Sequence, residues 1–227
     1  VSRGLGDVYK RQTVGGVRPG SAENGGGLRT GSHGAGGRPV LRRFCRAESN
    51  LEDYMYKKAV YRIRANEPLT AAVWRMTLEG DTRWIAAPGQ FVNIALEGRY
   101  LRRPISVCDY DEDSITLIYK VVGGGTAQMS RMRSGECLDL LTGLGNGFST
   151  ANDARRPLLV GGGVGVPPLY GLARKLLSEG RPVQVVLGFN TAAEVFCEEE
   201  FRALGCDVTV ATADGSRGVR GFVTTAI

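Results

Sequence analysis

Four glycines, Gly161, Gly162, Gly163 and Gly165, stand in the stretch LLVGGGVGVPPLYGLARKLL, between a short apolar run and a helix-like run. Where a strand turns into a helix, missing Cβ atoms let a phosphate approach the backbone amides, and the helix start adds unpaired N–H groups. Pro167 and Pro168 suit the first helical turn, where an absent N–H costs nothing. The spelling is not the dinucleotide fingerprint G-x-G-x-x-G, and the next apolar run ends in GFN at Gly188–Asn190 without the usual acidic residue. A plain structural turn stays open at this point.

A second constellation lies upstream, in LRRPISV at 101–107 and IYKVVGGGTAQM at 118–129. Arg103 offers a planar fork of donors suited to a diphosphate, and Ser106 adds a hydroxyl. Gly123, Gly124 and Gly125 lead into Thr126, which reads as the N-cap of a short helix and so as part of a second anion site. Singly, each is also a surface arginine or an ordinary cap. Together they amount to two phosphate sites on two kinds of element.

Those elements follow from the periodicity. From about Lys57 onward, KKAVYRIRA, VWRMTLE, FVNIAL, PISVCDY and SITLIYKVV are short β-branched and aromatic runs, several with a period of two, separated by turns. They predict an antiparallel sandwich or small barrel. After Arg156, strand-like and helix-like runs alternate: PLLVGG, PPLYGLARKLLSEG, PVQVVLGF, AAEVFCEEEFRALG and CDVTVAT. Such alternation predicts parallel pairing with right-handed crossovers. The expected organisation is a β-barrel at 55–153 followed by an α/β layer at 154–227, the latter with only three clear strands. A barrel and an α/β layer that each hold a nucleotide fit a flavin meeting a nicotinamide.

Composition limits the alternatives. The net charge of +6 comes from residues 1–50, which carry nine Lys/Arg against three Asp/Glu, so the remainder is balanced. Residues 1–54, glycine-rich and without periodicity, are expected to be disordered and non-native. No basic surface for nucleic acid is expected beyond them, and no apolar run reaches the roughly 20 residues of a membrane span. The single histidine, His33, lies in the same segment. The five cysteines form no C-x-x-C pair and no cluster of metal-ligand spacing, so no metal site is expected. Scattered thiols fit a reducing cytoplasmic setting without a disulfide framework.

R-P-x-S on a barrel strand, G-x-G-T before a short helix, then G-G-G-x-G-x-x-P, resembles the ferredoxin–NADP reductase-like superfamily. Within it, LRRPISV, GLGNGF, GGGVGVPPLYGLARKL, LGFNTAAEVF and ADGSRGVRGFVT are similar to the electron-transfer subunits of dihydroorotate dehydrogenase B, over about residues 55–227. The resemblance implies an antiparallel Greek-key barrel that binds FAD and a parallel-sheet domain that binds NAD. It assigns FAD to Arg103, Pro104, Ile105 and Ser106, to Ile118, Tyr119 and Lys120, and to Gly125 and Thr126. It assigns NAD to Gly161, Gly162, Gly163 and Gly165 and to a loop with Asp214, Gly215 and Ser216.

No catalytic acid or base is required, because the cofactors carry the chemistry. The implied path runs from an FMN-bearing subunit that oxidises dihydroorotate, through a [2Fe–2S] cluster and FAD, to NAD⁺. Its setting would be de novo pyrimidine biosynthesis, in a heterotetramer of two plus two, with neither nucleic acid nor membrane as partner. Family members continue into a cysteine segment that ligates the cluster, so the sequence reads as truncated before it. Two other readings stay open: the small subunit of a sulfide dehydrogenase or ferredoxin:NADP oxidoreductase, and a nucleotide-binding regulatory module without electron transfer.

Overall fold

The computed structural model describes residues 56–151 and 154–227. The reading of residues 1–54 as a disordered, non-native segment lies outside the described residues.

Six strands close a barrel: β1 (Lys57–Pro68), β2 (Val73–Glu79), β3 (Phe91–Ala95), β4 (Arg103–Tyr110), β5 (Ser114–Lys120) and β6 (Cys137–Leu144). Their order around the barrel is β1-β2-β5-β4-β3-β6, and β6 returns to pair with β1. Every pairing is antiparallel. β2 lies beside β5 rather than β3, which is the Greek-key crossing. Strand alternation fills the interior with Met76, Leu78, Ile115, Leu117, Tyr119, Leu138 and Leu140, all buried. A short helix, α1 (Gly124–Met129), follows β5 and buries Met129 in the same core.

The second layer is a parallel sheet of β7 (Leu158–Gly162), β8 (Gln184–Phe189), β9 (Asp207–Thr212) and β10 (Val219–Arg220), in the order β10-β9-β8-β7. The short β10 is a fourth strand beyond the three that the pattern showed. Helix α2 (Pro167–Ser178) carries its two prolines in the first turn and buries Leu169, Leu172, Ala173 and Leu176 at helical spacing. Gly171 on α2 lets the Cys108 carbonyl of β4 approach, since a Cβ there would fall 3.0 Å from that oxygen. Arg174 pairs with Asp109 at 2.8 Å and donates to the Tyr110 carbonyl at 2.7 Å, so α2 is fastened to the barrel as well as to the sheet.

The helix expected across Ala192–Gly205 is broken. A single turn at Ala192–Glu194 is followed by extended Val195, and α3 spans only Glu198–Ala203. One contact and one backbone angle outweigh the helical pattern. Phe196 packs edge-on against Phe189, with ring centroids 5.1 Å apart, and Cys197 takes a left-handed φ of 63° that no continuous helix accommodates. Cys108, Cys197 and Cys206 are buried free thiols, whereas Cys137 is disulfide-bonded, which departs from the expectation of unpaired cysteines.

Barrel and sheet share one apolar cluster. Val73, Cys108 and Ile118, on the outer face of β2, β4 and β5, are buried with Leu159, Leu172, Val185 and Leu187 of the second layer. An ion pair between Arg75 of β2 and Glu200 of α3 adds a polar link. Among the described residues no helix is long and apolar enough to cross a membrane.

Candidate functional site

The two upstream motifs meet at one end of the barrel. Arg103 opens β4 on the side of Ile105 and Val107, and its guanidinium reaches across to the glycines that open α1. A Cβ on Gly125 would fall 2.7 Å from Arg103 Cζ and 2.8 Å from Nη2, so the arginine occupies the space that glycine leaves. Arg103 Nη1 donates to the Leu101 carbonyl. Arg99, which the sequence motifs did not single out, lies against the neighbouring glycine. Its Nη2 donates to the Gly124 carbonyl at 3.1 Å and its Nε to Gln128 Oε1 at 3.2 Å. Two guanidinium groups at the start of a helix whose first N–H groups lack intrahelical acceptors form a donor set suited to a diphosphate.

Thr126 is not the N-cap. Gly123 holds that position, and Thr126 stands at the third helical residue, where its hydroxyl accepts from Val122 N at 3.0 Å and Gly123 N at 3.3 Å. The threonine therefore shapes the turn, with Gly123 and Gly124 exposed and Gly125 buried beneath Arg103.

The segment Ile118–Lys120 divides by strand alternation. Tyr119 points into the barrel, where its hydroxyl donates to Asn66 Oδ1 at 3.0 Å and burial pushes its pKa up to about 12. Ile118 and Lys120 face the second layer, the first inside the shared core and the second at its edge. On β4, Pro104 is exposed opposite Asn93, Ile105 packs on the barrel core and Ser106 is half-buried opposite Phe91.

A cavity of about 640 Å³ opens where the barrel meets the carboxyl ends of β7 and β8. Thr70–Val73 and Lys120 line it from the barrel, and Gly162, Gly163 and Gly188 from the sheet. Crevices at the carboxyl ends of parallel strands are where open α/β sheets take their ligands. The glycines differ in role. Gly161 faces away from the cavity, and a Cβ there would press on Leu169 Cδ1 at 2.7 Å and Val166 Cα at 3.2 Å, so it serves the close packing of α2 on β7. Gly163, at φ 51°, and Gly165 front open space. Gly188, the first residue of the GFN ending, has no room for a Cβ beside Val223 Cγ1.

Asp214, Gly215 and Ser216 do not line the cavity; they brace its wall. Ser216 Oγ donates to Asp214 Oδ1 at 2.6 Å and accepts from Ala192 N at 2.7 Å, behind the turn that carries Ala193 and Glu194 into the cavity. Burial pushes the Cys197 thiol up to about 12 and the Cys108 thiol up as well, which leaves both protonated and inert. Among the described residues no group of three or more His, Cys, Asp or Glu could hold a metal ion, so they do not supply a [2Fe–2S] ligand set.

No protein-family model matches the chain. The chain is 43% identical over 181 residues to the dihydroorotate dehydrogenase B (NAD(+)) electron transfer subunit of Geobacillus sp. (strain WCH70), covering 76% of this chain and 70% of that protein. The protein of the same name from Bacillus pumilus (strain SAFR-032) is 42% identical over 179 residues, covering 75% and 69%. Among solved structures, an NADH-dependent reduced ferredoxin-NADP oxidoreductase, described for flavin-based electron bifurcation, superimposes with a TM-score of 0.67 at 32% identity, over 74% of this chain and 62% of that one.

Proposed function

The chain belongs to the family of dihydroorotate dehydrogenase B electron-transfer subunits, and from that premise we propose that it is a flavoprotein with FAD on the barrel and NAD(H) at the carboxyl ends of the parallel strands. The observation that carries the reading is the shared cavity: Lys120, from the barrel's flavin segment, and Gly162 and Gly163, from the sheet's turn, line one space. A bound FAD supplies hydride exchange with nicotinamide and single-electron exchange with a second redox centre.

The residues' own tasks are binding and orientation. Arg103, with Gly125 and Thr126 shaping the turn opposite, holds the diphosphate end of the flavin cofactor. Pro104, Ile105 and Ser106 form the strand it lies along, and Ile118, Tyr119 and Lys120 fix the strand beside it. Gly162, Gly163 and Gly165 leave the backbone open to the nicotinamide nucleotide, Gly161 keeps their turn tight on α2, and Asp214, Gly215 and Ser216 hold the opposite wall. The barrel, residues 55–153, thus acts as the flavin domain and residues 154–227 as the nicotinamide domain.

The partner in this reading is an FMN-bearing subunit that oxidises dihydroorotate to orotate in pyrimidine biosynthesis, assembled with this chain two plus two. A [2Fe–2S] relay between the two flavins would need ligands other than the described residues. The test is co-purification of this chain with such a subunit. A retained flavin spectrum and dihydroorotate-dependent reduction of NAD⁺ are expected. A complex without bound FAD, or one that reduces NAD⁺ equally well without this chain, would overturn the reading.

A further inference from the structure

We propose that Glu194 selects NAD(H) against NADP(H), as the acidic ribose ligand that the GFN ending of β8 lacks. The assignment rests on the reading of the cavity as the nicotinamide site. In doubly wound sheets an acidic side chain beyond the second strand accepts hydrogen bonds from the ribose hydroxyls. The second strand of this layer is β8, and Asn190 follows its last residue, Phe189.

The turn at Ala192–Glu194 then doubles back. Asn190 Nδ2 donates to Glu194 Oε2 at 2.9 Å, which places the carboxylate beside the end of β8 although it is four residues further along the chain. Both residues line the cavity. The turn is braced by the Ala192 N–H bond to Ser216 Oγ, 2.7 Å long. With Oε2 engaged by Asn190, and no other hydrogen bond to this carboxylate among the described residues, Oε1 is left to accept from a ribose hydroxyl.

Charge makes the choice selective. Among the described residues that line the cavity, Glu194 and Lys120 are the charged ones. Lys120 comes from the barrel at the end of β5, whereas Glu194 stands on the sheet side past β8. A phosphate on the ribose 2′ oxygen would meet a carboxylate there and no cation from the same wall, and like-charge juxtaposition rejects a ligand more strongly than a lost contact does.

The test uses the whole chain loaded with FAD, as wild type, Glu194→Gln and Glu194→Arg. Equilibrium titration with NAD⁺ and NADP⁺ gives dissociation constants, and flavin bleaching by NADH and NADPH is followed in parallel. Wild type is expected to favour NAD⁺; Glu194→Gln should narrow the ratio of dissociation constants about tenfold and Glu194→Arg should reverse it, with flavin content unchanged. A ratio that stays the same in both variants overturns the role of Glu194. If wild type binds neither nucleotide, the nicotinamide reading of the cavity itself is wrong, and the assignment falls with it.

Discussion

The guanidinium of Arg103 rests on the bare face of Gly125, with Cζ 2.7 Å from where a Cβ would stand. Two motifs 22 residues apart in the chain, R-P-I-S and G-G-T, therefore make one surface. The pairing predicts opposite effects on fold and on flavin. Gly125→Ala lies inside α1, where alanine favours the helix by roughly 0.5–1 kcal/mol, yet it must push Arg103 aside. The variant should melt no lower than wild type and lose flavin on gel filtration. Full retention would show that the contact is incidental.

If Arg103 holds the flavin diphosphate as proposed, Arg103→Ala should remove charge-assisted hydrogen bonds worth roughly 1.5–3 kcal/mol, or about a ten- to hundredfold loss in FAD affinity. Arg102→Ala is the matched control. Arg102 pairs with Asp139 at 2.8 Å and donates to the Asn93 carbonyl at 3.1 Å, so its loss should lower barrel stability and leave flavin affinity alone. Fluorescence titration of FAD into both variants separates the two roles.

The glycine turn can be dissected in the same way. Gly161→Ala forces a Cβ against Leu169, Val166 and the Gly165 carbonyl, and overpacking of this kind costs about 1–3 kcal/mol. Gly165→Ala meets nothing within 4 Å and should leave stability unchanged while weakening NAD⁺ binding. Urea denaturation of both variants, with nucleotide titration of the second, checks this. Equal destabilisation by the two would contradict the division of roles.

Much of this architecture was legible in the sequence because burial imposes a period. Ile115, Leu117 and Tyr119 alternate, and Leu169, Leu172, Ala173 and Leu176 recur at helical spacing, so barrel, sheet and α2 follow from pattern alone. What periodicity could not show was set by individual side-chain contacts and turn geometry. Phe196 leaves the helical register to pack on Phe189, and Thr126 forgoes the capping position because Gly123 already supplies the extended residue there. The site shows the same limit. Arg103 and Gly125 stand out by residue type, whereas Arg99 and Glu194 draw notice only through the turns that bring them beside Gly124 and Asn190. The clue that could have exposed Glu194 is a carboxylate a few residues beyond a strand whose end lacks one.

The link between barrel and sheet is open to a double-mutant cycle. Arg75 and Glu200 are each about a third exposed, so solvent screening limits their coupling to about 0.2–1 kcal/mol. Arg75→Ala, Glu200→Ala and the double variant should yield a coupling in that range that shrinks at high salt. A coupling near zero at low salt would leave the tie to the shared apolar cluster and to Arg174 on β4.

Acid sensitivity is expected from the hairpin that joins β4 and β5. The Ser114 hydroxyl, donating to Asp111 Oδ2 at 2.8 Å, and the Asp113 N–H hold the Asp111 carboxyl below the usual carboxylate range. A depressed folded value means that the contribution is complete above the unfolded pKa of about 3.9 and is lost as pH falls through the lower, folded one. Asp111→Ala should therefore be less stable than wild type at neutral pH, with the gap closing in strong acid. Urea midpoints across that range test it, and a constant gap would contradict it.

The central claim is that flavin and nicotinamide meet in the cavity shared by Lys120 and Gly163. Its most direct test is anaerobic titration of the FAD-loaded chain with NADH, followed by flavin absorbance, in wild type and in a Gly162→Val variant, whose extended backbone at φ −125° accepts a branched side chain on the cavity wall. Bleaching of the wild-type flavin by NADH, and its loss in the variant with flavin content intact, is the predicted result. A flavin that NADH leaves oxidised in the wild type, or reduces equally well in both, would contradict the account.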